Sequence, residues 1–116
     1  MANFMYLFRG GFDSDANVAA AQMQAQMQKW VAWMQQLGKT GNFKSGEPLE
    51  KTGKVLHAKK KNIHDGPYAE AKDVIGGYLI VSAENLEHAT ELAKGCPILE
   101  NEGGTVEVRP VREMKP

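Results

Sequence analysis

The sequence predicts one α+β domain in which an antiparallel sheet carries two helices on one face. Two segments, 3–9 and 76–82, are apolar at both sets of alternating positions, which is typical of strands covered on both faces. A long helical pattern at 16–37 and a shorter one at 84–94 separate the predicted strands. The chain of 116 residues has the usual length of one domain, so we predict a single domain over residues 1–116.

The long helix follows the first strand and carries an apolar stripe. Asp13, Ser14 and Asp15 offer N-caps at its start, and Gly38 supplies a C-cap. The Gln, Met and Ala residues favour a helix over the strand that the alternation at 22–28 suggests. Apolar residues that recur at spacings of three and four predict a core-facing stripe, namely Met23, Met27, Trp30, Met34 and Leu37.

Two further apolar residues of this helix, Val31 and Trp33, flank the stripe, and we expect them to widen the buried face toward a partner subunit. The tryptophans and methionines also suggest a cofactor site, but packing in the core explains them better. We therefore predict that the protein uses no cofactor.

The segment at 41–65 is rich in Gly, Lys, Asn and Thr and contains only one strand-like stretch, at 54–59. It predicts a hairpin or an irregular second strand, and it does not fix the register. The Asp-Gly-Pro sequence at 65–67 then predicts a sharp turn, because Asp caps turns, Gly accepts positive φ and Pro fixes φ.

A short helix at 84–94 and a strand at 105–111 complete the predicted elements. Apolar and charged residues alternate along this last strand, so they belong to opposite faces of the sheet. We expect the valines on the face that packs on the helices and the charged residues on the opposite face. The residues concerned are Val106 and Val108, and Glu107 and Arg109.

The order strand, helix, strand, strand, helix, strand is the doubled pattern of the ferredoxin-like fold. Right-handed crossovers place both helices on one side of its sheet and leave the other face bare. The apolar residues on both faces of strands 3–9 and 76–82 must then be covered by something else. We expect a second copy of the chain to cover them in a dimeric α+β barrel, with Phe4, Tyr6 and Phe8 in the interface.

Three segments in the second half of the chain resemble one protein family. They are DGPYAEAKDVIGGYLIV at 65–81, ENLEHATELAKGCPILE at 84–100 and GGTVEVRPV at 103–111. Together they resemble the YCII-related family, in the branch named for its DGPF motif, with Tyr68 in place of the phenylalanine. The resemblance implies a dimeric ferredoxin-like fold. It also implies that some relatives are enzymes built on a His and Asp pair, and that members of this branch accompany extracytoplasmic-function sigma factors.

An acid–base pair is the first candidate for catalysis. The Asp65 carboxylate is a candidate general base or ligand anchor, although capping its own turn is the favoured role. His57 or His64 is the candidate partner, but a surface position on a lysine-rich hairpin is favoured for both. The spacing of the histidines fits no metal site, so we predict no metal. Cys96 has no base near it in the sequence, and we expect a structural thiol.

A ligand pocket at the dimer interface is the second candidate site. Tyr78, Glu107 and Arg109 are predicted to line it, and a surface ion pair is an equally weighted alternative for the two charged residues. With 14 basic and 14 acidic residues, the chain has no electrostatic footprint for nucleic acid, and no apolar run is long enough to span a membrane. The lone cysteine is typical of the cytoplasm.

Two functions therefore stay open for this sequence. One is a homodimeric protein that binds a small molecule in an interface pocket, either as a binding protein or as a cofactor-free enzyme. The other is a non-catalytic regulatory module that acts with a sigma factor. The residues do not decide whether the protein is an enzyme.

Overall fold

A computed structural model describes residues 1–10, 20–58, 63–66 and 74–114, and for residues 20 and 63–66 it describes the backbone alone. The strands are β1 (Ala2–Arg9), β2 (Phe43–Pro48), β3 (Gly53–Leu56), β4 (Ile63–Gly66), β5 (Ile75–Ala83) and β6 (Thr105–Pro110). The helices are α1 (Ala20–Lys39) and α2 (Leu86–Ala93), and a 3-10 turn at Pro97–Glu100 follows the second helix.

Four strands form one antiparallel sheet in the order β2-β5-β1-β6, so the two predicted interior strands are at its centre. Tyr6 in β1 lies opposite Leu79 in β5 on one side and opposite Val108 in β6 on the other. Both helices contribute buried residues to one core on the same side of the sheet. The predicted α+β class is therefore confirmed, and the arrangement is consistent with a ferredoxin-like fold.

An aromatic cluster joins β1 to α1 at the centre of the core. The Tyr6 ring stacks on Trp33 with ring centroids 6.1 Å apart, and Phe8 meets Trp30 edge-on at 5.1 Å. Hydrogen bonds connect the same cluster to α2. The Tyr6 hydroxyl donates to the Ala89 carbonyl at 2.5 Å, and the Trp33 indole donates to another carbonyl of α2 at 3.2 Å.

This core corrects the role expected for the aromatic residues of β1. Phe4, Tyr6 and Phe8 are almost fully buried against the helices of their own chain, so their assignment to an interface between two copies is wrong. Both alternating sets of β1 are apolar, and alternation alone cannot tell which set faces the helices. Met5 and Leu7 occupy the other face of the sheet.

The sheet-facing stripe of α1 agrees with the predicted one in the second half of the helix, where Trp30, Met34 and Leu37 pack in or against the core, and differs from it in the first half. Trp33 and Leu37 are buried, whereas Met23 and Met27, which were expected in the core, are 59% and 67% exposed. The inner stripe continues toward the start of the helix at Gln26, which is half-buried. Because a glutamine occupies this inner position, the apolar pattern in the first half of the helix follows Met23 and Met27 instead, although both are exposed.

The boundaries of the predicted strands at 3–9, 76–82 and 105–111 and of the predicted helix at 84–94 agree with the structure to within about two residues, the usual uncertainty of element ends. Helix α1 ends at Lys39, close to its predicted end at residue 37. The predicted start of this helix, at 16–19, lies outside the described residues.

The second strand of the sheet is β2, which the sequence did not predict. It is an edge strand that pairs with β5, and five of its six residues are exposed, so it has no apolar alternation. The stretch predicted at 54–59 forms β3, which pairs with β4 in a separate two-stranded sheet. The hairpin alternative is therefore confirmed for this stretch, and its register pairs Gly53 with Gly66 and Lys54 with Asp65.

The shortest dimension of the molecule is 19 Å, which is the depth of one sheet and one layer of helices. Among the described residues both helices pack on one face of the sheet, and the opposite face is here called the open face. No helix among the described residues is both long and apolar enough to cross a membrane.

Candidate functional site

The open face carries two rows of residues that run across the four strands. Strand register puts Glu47, Tyr78, Leu7 and Glu107 in one row and Ser45, Ile80, Met5 and Arg109 in the next. The central residues of both rows are half-buried, and they are apolar or aromatic. The residues at the ends of the rows are polar or charged. The open face is thus an apolar surface with polar groups along both edges.

Charged residues at one edge of the open face form a small network. The Arg9 guanidinium lies 2.5 Å from one Glu107 oxygen, and the Arg109 Nε lies 3.7 Å from the other oxygen. The Arg9 side chain is 29% exposed and that of Arg109 is 67% exposed, so the outer contact is the weaker one. Two cations thus face one carboxylate. The sequence reasoning did not identify Arg9 as a candidate, although its place in the alternation of β1 assigns it to the same face.

Tyr78 lies near the opposite edge of the same face. Its hydroxyl and a carboxylate oxygen of Glu47 are 3.4 Å apart, within reach of a weak hydrogen bond. Tyr78 is two strands from Glu107, which corresponds to about 10 Å. The three residues predicted to line a ligand pocket, Tyr78, Glu107 and Arg109, therefore share one face of one chain.

Asp65 and His57 belong to the two-stranded hairpin and not to the four-stranded sheet. Asp65 is in β4 opposite Lys54, and His57 comes three residues after Lys54, which is about 10 Å along a strand. The backbone register does not bring these two candidates together. Of the predicted turn, Asp65 and Gly66 end β4, whereas Pro67 and the residue after it lie outside the described part of the chain. The acid–base roles of Asp65 and His57 remain predictions.

Cys96 lies in the core, where it is 2% exposed. Burial raises the pKa of its thiol to about 12, against a smaller lowering effect of a hydrogen bond with the Ile98 backbone. The thiol is therefore protonated at neutral pH and is a poor nucleophile, in agreement with the structural role expected from the sequence. Burial, with a smaller contribution from Cys96, also raises the pKa of Tyr6 to about 12.

A pocket of about 370 Å³ lies on the other side of the sheet, between α1 and strands β2 and β5. Phe8, Trp30 and Met34 form its inner wall, and Met27 lies on its α1 side. The sequence did not predict this pocket, because it assigned Met27 to the core and did not identify β2. The glycine of β2, in a polar segment between two predicted elements, was the signal that could have indicated a close approach of backbone there.

Among the described residues, no group of three or more His, Cys, Asp or Glu side chains converges as metal ligands would. The candidate chemistry of the chain therefore consists of the arginine–glutamate network and Tyr78 on the open face, the apolar pocket on the helix face, and the hairpin candidates.

Comparison with known proteins gives a family, and solved structures include a similar one. The comparison with curated proteins gave no match. A solved structure, 5-chloro-2-hydroxyhydroquinone dehydrochlorinase (TftG) from Burkholderia phenoliruptrix AC1100 in complex with 2,5-dihydroxybenzoquinone, is 17% identical, with 90% of each chain covered and a TM-score of 0.43. A likeness at this level says nothing about activity. The family model of the YCII-related domain matches residues 11–115, which is nearly the whole chain, so the protein belongs to the YCII-related family.

Proposed function

We propose that the protein is a homodimer that binds a small molecule between the open faces of its two subunits. The observation that carries this proposal is the open face itself, an apolar surface that carries a network of charged residues at one edge. Soluble domains usually bury an apolar sheet face against another layer. A second copy of the same sheet supplies that layer in a closed, two-fold assembly.

The charged network indicates what the covered space contains. Glu107 is paired closely with Arg9, which leaves Arg109 as the outer, weakly paired cation. Burying a guanidinium without a partner costs roughly several kcal/mol of free energy. Arg109 therefore requires water or an anionic group beside it in the dimer. A small molecule with an acidic group meets this requirement, and Tyr78, two strands away on the same face, supplies a hydroxyl for its other end.

The proposal also includes a candidate catalytic role for the bound site. Asp65 and His57 are the candidates for an acid–base step, and they reach this space only where the β3–β4 hairpin of one subunit meets the sheet of the other. No cofactor and no metal is part of the proposal, and a cytoplasmic location, expected from the lone cysteine, belongs to it as well.

The dimer is tested by light scattering of the wild type and of Leu7→Arg. Leu7 is in the middle of its row on the open face, so an arginine there puts a long charged side chain into the interface. We expect twice the chain mass of 12.8 kDa for the wild type and the chain mass itself for the variant. Met23→Arg is the matched control, because it adds the same charge at an exposed position of α1. A wild type that is monomeric at micromolar concentration contradicts the proposal.

Ligand binding is tested with a panel of small aromatic and aliphatic carboxylates by thermal shift. We expect at least one acid to raise the Tm of the wild type and of the control Arg112→Ala, and to leave that of Arg109→Ala unchanged. Arg112 is an exposed arginine beyond the end of β6. A stable dimer that responds to no acid favours the alternative, a non-catalytic regulatory module that accompanies sigma factors.

A further inference from the structure

We infer that the pocket between α1 and strands β2 and β5 is a second binding site, which takes an uncharged aromatic molecule. It lies on the helix face of the sheet within one chain, so it does not depend on the dimer or on the open face. Its lining includes Phe8, Met27, Trp30, Val31, Gly46 and Gly77.

Two glycines are part of the pocket lining. Gly46 and Gly77 occupy positions on the helix face where other residues would project side chains toward α1. At Gly46 a Cβ atom would lie 2.1 Å from the Cδ2 atom of Leu79, so no larger residue fits there without a shift. Because neither glycine has a side chain, backbone forms this part of the pocket lining.

The volume suits a small ligand. About 370 Å³ corresponds to roughly a dozen water-sized groups and falls within the usual range of small-molecule pockets. Water in such a space has few polar partners on the walls, because most of the lining is apolar. A ligand that displaces this water without having to replace its hydrogen bonds gains affinity.

The walls select aromatic rings. Trp30 and Phe8 are perpendicular, with centroids 5.1 Å apart, and Trp30, which is half-buried, offers aromatic surface to a third ring. Met27 and Met34 add thioethers, which make favourable contacts with aromatic edges. The described residues that line the pocket include no lysine, arginine or histidine, so an anionic ligand would be buried there without a cationic partner.

The exposed apolar residues of α1 mark the mouth of the pocket. Met27 and Val31 are 67% and 42% exposed, and both line the pocket. Met23, one turn earlier on the same helix, is 59% exposed but does not line it. Met27 has a flexible side chain that can fold over a bound ring. In the free protein this thioether is exposed to solvent and adds little to packing, so covering a ligand gives it a role.

The test uses two fluorescent probes with the same ring system and different charge. Phenylnaphthylamine is uncharged, and anilinonaphthalene sulfonate carries an added sulfonate. We expect the uncharged probe to bind the wild type with micromolar affinity and at least tenfold more tightly than the sulfonate. Equal or tighter binding of the sulfonate overturns the inferred ligand class.

Three variants locate the probe. We expect Val31→Trp, which places an indole at the mouth, and Met27→Lys to weaken binding of the uncharged probe at least tenfold, whereas Met23→Lys leaves it unchanged. Near-ultraviolet circular dichroism verifies that each variant keeps the native aromatic core. If Met27→Lys binds as tightly as the wild type, or Met23→Lys weakens binding equally, the probe lies elsewhere and the site is refuted.

The same probe separates this inference from the proposed dimer. Because the pocket is formed within one chain, the uncharged probe should bind Leu7→Arg with the affinity of the wild type, whether or not that variant is monomeric. Loss of probe binding on Leu7→Arg, with a native circular dichroism spectrum, shows that the bound site requires the open face and contradicts the inference.

Discussion

Replacement of Tyr6 by phenylalanine tests the energetics of the core in a way that depends on pH. Tyr6 is fully buried, its ring stacks on Trp33, and its hydroxyl donates to the Ala89 carbonyl. Tyr6→Phe keeps the ring and removes only the hydroxyl. At neutral pH the loss of one buried hydrogen bond should therefore lower the free energy of unfolding by about 1 kcal/mol.

At alkaline pH the sign of the difference should change. The pKa of Tyr6 rises from 10.0 to about 12 on folding, chiefly because burial disfavours the phenolate. The protonated hydroxyl thus stabilises the fold fully below the unfolded pKa, and this contribution disappears as the pH rises toward the folded pKa. By about pH 11 the wild type should have lost roughly 1.4 kcal/mol through this group, and the variant nothing. The two stabilities should therefore cross near pH 11.

Urea unfolding at several pH values between about 7.5 and 11 measures both stabilities, and the difference between them cancels contributions that the two proteins share. Phe4→Leu is the matched control. It truncates a buried ring in the same strand without touching an ionisable group, so its cost should be the same at every pH. A Tyr6→Phe difference that stays constant or grows toward pH 11 would refute the desolvated hydroxyl inferred from the structure.

Two further predictions concern the edge strand and the buried thiol. Gly46→Ala should lower the free energy of unfolding by about 1–3 kcal/mol, because the added Cβ meets Leu79 at 2.1 Å, whereas Gly38→Ala in α1, with nothing within 4 Å, should be neutral or stabilising in the same denaturation assay. Equal effects of the two substitutions would contradict the close approach of β2 to β5. Cys96 should resist iodoacetamide at about pH 8 in the native protein and react rapidly in urea, as mass spectrometry can measure, since burial holds its pKa at about 12. Rapid labelling of the folded protein would show that the thiol is accessible.

The two proposed sites occupy opposite faces of one sheet. Tyr78 follows Gly77 in β5, so only the backbone of this strand separates the open face from the pocket. Substitutions in the middle of β5 therefore affect both faces. Met27 on α1 belongs to the pocket alone and Arg109 on β6 to the open face alone, so substitutions at these positions separate the two proposed sites.

The sequence by itself determined most elements of the fold and the side of the sheet on which the last strand places its residues. Val106 and Val108 pack against the core, as their alternation with charged residues predicted, because in that strand only one set is apolar. The same local reasoning located β5 and α2 closely. Residues 65–81, 84–100 and 103–111 also carried enough of the family pattern to indicate the YCII-related family.

Only the tertiary structure decided which apolar face of β1 meets the helices, which residues in the first half of α1 are exposed, and where the edge strand lies. Each of these depends on contacts between residues far apart in the sequence. Arg9 and Glu107, which form the closest ion pair of the open face, are 98 positions apart, and Gly46 matters only because Leu79 lies against it. Periodicity reports how a segment alternates, but the partner that each face meets is set by how the strands and helices pack together, and that packing places the pocket and the charged network.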